Sequence, residues 1–134
     1  MENNISTNYM QAFSITIKGE PASKANSRKM VYLHGKPMFI KSEKALSYAR
    51  DFRVQCGVSQ MIVGDVAVHM KIFYASRRPD LDESLILDLL QGVAYVNDRQ
   101  VKEKHIYWGL DKENPRTEIR VEKIREPEGS LTDR

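Results

Sequence analysis

The ten residues from Asp65 to Tyr74 constrain the fold of this chain more than any other stretch. Apolar, β-forming side chains occupy every second position from Val66 to Tyr74. Strict alternation of this length predicts a β-strand with one buried face, and its richness in β-formers favours an interior position in a sheet. The strand leads directly into Arg-Arg-Pro-Asp-Leu-Asp at residues 77–82. Any sheet built on this strand therefore presents basic and acidic side chains where the strand ends.

Three aspartates after this strand are candidate metal ligands. Asp80 and Asp82 are two residues apart, so in an extended segment their side chains point the same way. The turn at residues 97–100 supplies a third acid, Asp98. Mg²⁺ takes one or two protein carboxylates together with waters and phosphate oxygens. Asp88 is a weaker third candidate, because a helical position six residues past Asp82 lies roughly 240° around the axis.

The same aspartates also have ordinary structural explanations. Asp80 or Asp82 suits the N-cap of the apolar helix that follows, where Asp is favoured. Asp98 directly after Asn97 is typical of a turn. Spacing alone therefore leaves a metal site and a cap-and-turn arrangement both open.

Basic residues are concentrated in the front of the chain. The 134 residues carry a net charge of +3, but residues 1–55 hold nine Lys or Arg against four acids, and the remainder is net −2. This distribution fits a nucleic-acid surface around a carboxylate site, although a solvated basic face would have the same composition. The candidate phosphate-binding residues are Lys24, Arg28, Lys29, Arg77, Arg78, Arg99 and Lys102.

Aromatic residues offer a second kind of nucleic-acid contact. Tyr32 with Phe39, and Tyr107 with Trp108, can stack on bases. Aromatic side chains in strands lie more often in a core. The sequence therefore favours burial for both pairs.

Several functional classes are excluded or disfavoured. Cys56 is the only cysteine, which excludes an intrachain disulfide and a cysteine-based zinc site. The chain has no P-loop, no dinucleotide fingerprint and no serine with evident His and Asp partners. No apolar run approaches the ~18 residues of a membrane span, and the first residues are polar. We expect a soluble protein of the cytoplasm, in the host cytoplasm if a phage encodes it.

The remaining patterns predict a single small α/β domain of the α+β type over residues 1–134. We expect a strand at 12–18, a hairpin around Gly35, a helix from Glu43 to Cys56 between Ser42 and Gly57, an apolar helix ending near Gly92, and strands at 100–110 and 116–124. These elements give a mixed sheet of about five to six strands with two main helices packed on it. Residues 1–11 read as a flexible arm and residues 125–134 as a flexible tail.

The order of these motifs resembles the RusA-like Holliday junction resolvases of phages and prophages. The specific part is Arg-Pro-Asp-Leu-Asp at 78–82, the apolar helix, Gly-Val-Ala-Tyr at 92–95 and Asn-Asp-Arg-Gln-Val at 97–101. The basic loop at 19–28, the helix start at 40–45 with Tyr48, and Pro115-Arg116 also fit. The likeness covers roughly residues 13–124.

The resemblance implies a homodimer that cuts four-way DNA junctions by paired nicks, one from each subunit. It implies Mg²⁺ as the cofactor, with Mn²⁺ as a substitute. It also implies that Asp80, Asp82 and Asp98 are the catalytic, metal-binding aspartates.

The chain departs from the family at two positions. Glu83 stands where the family usually has Asn after the second aspartate, so Glu83 is a further candidate ligand. Ile86 stands nearest to the position of a family lysine, and Lys102, Lys104 or Arg99 are candidates to supply that cation. Two alternatives therefore stay open: a junction- or DNA-binding protein with weakened catalysis, and a nuclease for flaps or other branched substrates.

Overall fold

The computed structural model describes residues 11–57 and 61–125. The arm predicted at residues 1–11 and the tail predicted at 125–134 lie outside these ranges, apart from Gln11 and Arg125. Among the described residues, no helix combines the length and the hydropathy needed to span a bilayer.

Residues 11–57 and 61–125 form six strands and two α-helices. In chain order they are β1 (Ala12–Lys18), β2 (Arg28–Leu33), β3 (Lys36–Lys41), α1 (Glu43–Cys56), β4 (Val66–Tyr74), α2 (Ser84–Leu90), β5 (Val101–Leu110) and β6 (Arg116–Lys123). A short 3-10 helix, Asp98–Gln100, precedes β5. The expected α+β class, with six strands and two helices, is confirmed; the strands are divided between a four-stranded and a two-stranded sheet.

The four-stranded sheet has the order β1-β6-β4-β5, so β4 lies in its interior as the alternating pattern predicts. β4 is antiparallel to β6 and parallel to β5. A parallel neighbour requires a crossover connection, which here contains α2. The buried side of β4 carries Val66, Val68, Met70, Ile72 and Tyr74, and both helices contribute to the same core.

Helix α1 has the bounds that its cap residues predict. The Ala45 N–H donates to Ser42 Oγ at 3.1 Å, which satisfies one of the unpaired donors at the helix start. Gly57 ends the helix with a φ of +67°. The face with Tyr48 and Phe52 is buried, and burial of a side chain such as Phe52 contributes about 1.5 to 3 kcal/mol.

The hairpin of β2 and β3 forms a separate two-stranded sheet. Its turn residues His34 and Gly35 have φ values of 53° and 78°, as a two-residue type I′ turn requires. Tyr32 and Phe39 are each 69% exposed. The expectation that these aromatics belong to the core is therefore wrong, because none of the helices or strands within residues 11–57 and 61–125 packs over the hairpin.

Helix α2 is shorter than its apolar stripe suggests, since Leu81 precedes it and is exposed. Ile86 and Leu90 are fully buried. The N-cap is Glu83, whose side chain makes no capping hydrogen bond. Asp80 and Asp82 therefore both precede the N-cap position, and neither is the N-cap residue that the sequence suggested.

Candidate active site: two clefts at the start of α2

An aromatic pair fixes the segment between β4 and α2. The Tyr74 hydroxyl accepts a hydrogen bond from the Asp82 N–H at 3.2 Å. The Trp108 indole N–H donates to the Pro79 carbonyl at 3.2 Å. The two rings stack with centroids 6.1 Å apart. This pair holds the acidic segment against the sheet from both sides of Leu81.

The Asp82 carboxylate joins three parts of the chain. Its Oδ2 accepts from the Lys24 backbone N–H at 2.6 Å, and its Oδ1 accepts from the Ser84 N–H at 3.0 Å and the Ser84 hydroxyl at 2.7 Å. Burial, the largest single influence, raises the pKa of Asp82. The hydrogen bonds from Lys24 and Ser84 outweigh it, so the pKa lies below its ordinary value of 3.8. Asp82 is therefore ionised at neutral pH.

The first cleft lies between the loop after β1 and the segment before α2. It encloses about 720 Å³. Its charged lining consists of the acids Glu20, Asp80 and Asp82 and the cations Lys24, Lys44 and Arg78. Carboxylates beside cations at the end of a strand can bind a divalent ion and the phosphates of a polyanion together.

A second cleft adjoins the other side of the α2 start. It encloses about 300 Å³ and is lined by Ser84, Leu87, Asp88, Asp98, Val101 and Lys104. The Asp98 N–H donates to Gln91 Oε1 at 2.8 Å, and a capping box of Asn97 and Gln100 fixes the 3-10 helix. Ser84 belongs to both sites, because it binds Asp82 and also lines the second cleft.

The structure therefore places Asp80 and Asp82 in the first cleft, and Asp98 with Asp88 in the second. Within residues 11–57 and 61–125, no three acidic, His or Cys side chains are grouped closely enough to hold a metal ion. A three-aspartate ligand set remains a prediction. Mg²⁺ needs only one or two protein carboxylates, and the ionised Asp82 with the Asp80 carboxylate in the same cleft fits that requirement.

Glu83 and Lys104 form an ion pair at the second cleft, which Lys104 lines. Lys104 Nζ lies 3.2 Å from Glu83 Oε2. Ile86, which stands near the position of the family lysine, is fully buried. The cation nearest to the second cleft therefore comes from β5, and the Glu83 carboxylate already has a partner.

The predicted phosphate-binding residues are distributed over three regions. Lys24 and Arg78 line the first cleft, and Arg77 is exposed beside it. Arg28 and Lys29 begin the hairpin. Arg99 lies in the 3-10 helix and Lys102 in β5, both exposed near the second cleft. Their contact with DNA remains a prediction.

Sequence reasoning did not place Glu20, Lys44 or Tyr74 in the site. The sequence did indicate that Lys44 is accessible, since it lies off the apolar face of α1. Tyr74 counts only as a core residue in the strand pattern, yet its hydroxyl reaches the Asp82 backbone. Nothing local distinguishes Glu20 from any other loop acid.

The comparison with protein families is consistent with this geometry. Residues 18–122 match the sequence model of a family described as Endodeoxyribonuclease RusA. A comparison with curated proteins gave no match. Because the matched region covers most of the chain, the chain belongs to the RusA endodeoxyribonuclease family, as the motifs at 78–82 and 97–101 predict.

Proposed function

We propose that this protein is a Mg²⁺-dependent endodeoxyribonuclease that resolves four-way DNA junctions by paired nicks, one from each subunit of a homodimer. Family membership supports nuclease activity on branched DNA. The observation that carries the proposal is the first cleft, where Asp80 and the ionised Asp82 face Lys24, Lys44 and Arg78. A two-fold dimer matches the two-fold symmetry of a junction cut on two strands.

Each charged group of the first cleft has a defined part in this proposal. Asp82 is held in one orientation by its bonds to Lys24 and Ser84, so it is preorganised as a metal ligand. Asp80 offers a carboxylate to the same ion. Held by Asp80 and Asp82, a Mg²⁺ ion would supply an activated water and charge stabilisation for the leaving oxygen. Lys24 and Arg78 hold the phosphates beside the scissile bond.

The test is a nicking assay on a synthetic four-way junction with Mg²⁺. We expect symmetrical nicks with the parent protein and none after chelation of the metal. Asp82→Asn should lose cleavage while binding the junction. Cleavage by Asp82→Asn at the parent rate would show that the site is assigned to the wrong residues.

A second candidate is a junction-binding protein with weakened catalysis. Two observations favour it: the Asp82 carboxylate already accepts three hydrogen bonds, and the buried Ile86 of α2 stands nearest to the position where the family usually has lysine. Tight, salt-sensitive junction binding without cutting in either Mg²⁺ or Mn²⁺ would identify this function. Competition among junction, flap and duplex DNA would separate a resolvase from a nuclease for other branches.

A further inference from the structure

The hairpin of β2 and β3 extends from the body of the protein with both faces exposed. Of its two strands, Val31 alone is even partly buried. The hairpin packs chiefly on itself. An isolated two-stranded hairpin is marginally stable in water. An exposed hairpin rich in large apolar side chains therefore indicates a binding element rather than a structural one.

The register separates the hairpin into two different faces. Directly paired residues share a face, and the pairs are Arg28–Lys41, Met30–Phe39 and Tyr32–Pro37 on one side. We refer to these six residues as the aromatic face. The opposite face carries the pairs Lys29–Ile40, Val31–Met38 and Leu33–Lys36.

The aromatic face combines exposed rings with positive charge. Tyr32 and Phe39 are each 69% exposed, and Met30 beside them is 50% exposed. Residues 21–42 contain five Lys or Arg and no acid. Two such hairpins repel each other, whereas a polyanion is attracted. Aromatic rings flanked by cations are the combination that binds unstacked bases and their phosphates.

The hairpin is continuous with the first cleft. The Ser42 N–H donates to the Ser27 carbonyl at 2.9 Å, and the Ser42 hydroxyl donates to the Asn26 carbonyl at 2.7 Å. These bonds join the end of the hairpin to the loop whose Lys24 N–H binds Asp82. A nucleic acid that lies along the first cleft therefore meets the base of the hairpin at Arg28.

We propose that the aromatic face binds DNA at unstacked bases, with Tyr32 and Phe39 stacking on the bases and Arg28 and Lys41 holding the adjacent phosphates. The inference rests on the proposed function only for the choice of DNA as the ligand. It assigns the hairpin a role that neither cleft supplies: recognition of the opened bases at a branch point.

The experiment compares two variants of the same hairpin. Tyr32→Ser/Phe39→Ser removes the aromatic face, and Leu33→Ser/Met38→Ser removes two apolar side chains of the opposite face. Affinity for a fluorescent four-way junction is measured without divalent ions and at one salt concentration, with sedimentation to report oligomeric state and thermal unfolding to verify folding. Tyr32→Phe/Phe39→Trp retains the rings and serves as the conservative variant.

We expect Tyr32→Ser/Phe39→Ser to weaken binding by about 30-fold or more, since each base stack contributes about 1 to 3 kcal/mol. The opposite-face variant should change affinity by less than about threefold, and the conservative variant should bind like the parent. Unchanged binding by the first variant would overturn the inference. Conversion of a dimer to a monomer by that variant would also overturn it, because the face would then be an interface between copies.

The assay separates this inference from the proposed function. Binding without divalent ions does not depend on cleavage. If the parent protein binds the junction but never cuts it, the proposed function is contradicted and the hairpin inference is unaffected. If the parent protein cuts and the Tyr32→Ser/Phe39→Ser variant binds the junction equally well, only the hairpin inference is contradicted.

Discussion

Asp82 and Asp98 are two aspartates of one predicted site, but they differ in the hydrogen bonds that their carboxylates accept from the protein. Asp82 accepts hydrogen bonds from Lys24 and from Ser84 twice. The Asp98 carboxylate accepts none from the residues that the structure describes, and its backbone N–H alone is fixed, by Gln91. Asp82 therefore has a structural role in addition to any catalytic one, whereas Asp98 is available for a ligand from outside.

The difference follows from the position of each aspartate relative to the sheet. Asp82 follows β4, and Asp98 precedes the parallel strand β5, so ideal strands would place them at opposite ends. The segment before α2 returns across the sheet until Glu83 meets Lys104, which pairs with Val68. The two aspartates are thereby brought to either side of Ser84. Proximity of this kind comes from the path of the chain and not from sequence spacing.

The largest expected effect is a loss of cleavage, and it should be the same for substitution of either aspartate. Asp82→Asn and Asp98→Asn should each lower junction cleavage on the order of a thousandfold, because a metal site contributes several kcal/mol to transition-state stabilisation. Single-turnover nicking of a labelled four-way junction measures this loss. Lys112→Gln, an exposed change in the turn before β6, is the control and should cut normally. Normal cleavage by Asp98→Asn would mean that the second cleft has no part in catalysis.

A smaller effect should separate the same two variants. Asp82→Asn places an amide donor against donors of Lys24 or Ser84 and loses at least one hydrogen bond to a charged acceptor. We expect a loss of about 1 to 2 kcal/mol in the free energy of unfolding. Asp98→Asn should stay within about 0.5 kcal/mol of the parent. Urea denaturation followed by circular dichroism provides both values, and equal stabilities would remove the structural role of Asp82.

The smallest effect concerns pH. Because the pKa of Asp82 is lowered by folding, its ionised form contributes stability that is present above 3.8 and is lost as the pH falls below that value. The stability gap between the parent and Asp82→Asn should therefore be constant from pH 7 to about 4 and shrink at lower pH. Urea midpoints of both proteins at several pH values measure the gap. A stability gap that widens on acidification would mean that folding raises the pKa of Asp82 rather than lowering it.

Local chemistry explains which features could be predicted from the sequence. Ser42 and Gly57 bound α1 correctly because capping depends on neighbouring residues alone. The alternation of β4 predicts its interior position, and two aspartates at its end share a cleft. The family motif at 78–82 adds the nuclease assignment.

The unpredicted features depend on contacts between distant residues. The bond from Lys24 to Asp82 joins residues 58 positions apart. The Glu83–Lys104 pair likewise depends on the register of β5. In the hairpin, both faces combine large apolar side chains with cations. The pattern therefore could not show that the described residues leave both faces exposed.

Binding of Mn²⁺ to crystals of the protein tests the assignment of the aspartates most directly. Anomalous scattering locates the ion independently of any enzymatic activity. We predict a Mn²⁺ peak in the first cleft, bonded to Asp80 and Asp82, with Asp98 turned toward it from the second cleft. Crystals soaked in Mn²⁺ that show no ion at these aspartates, or an ion held by Asp88 and Asp98 alone, would contradict the proposed metal site.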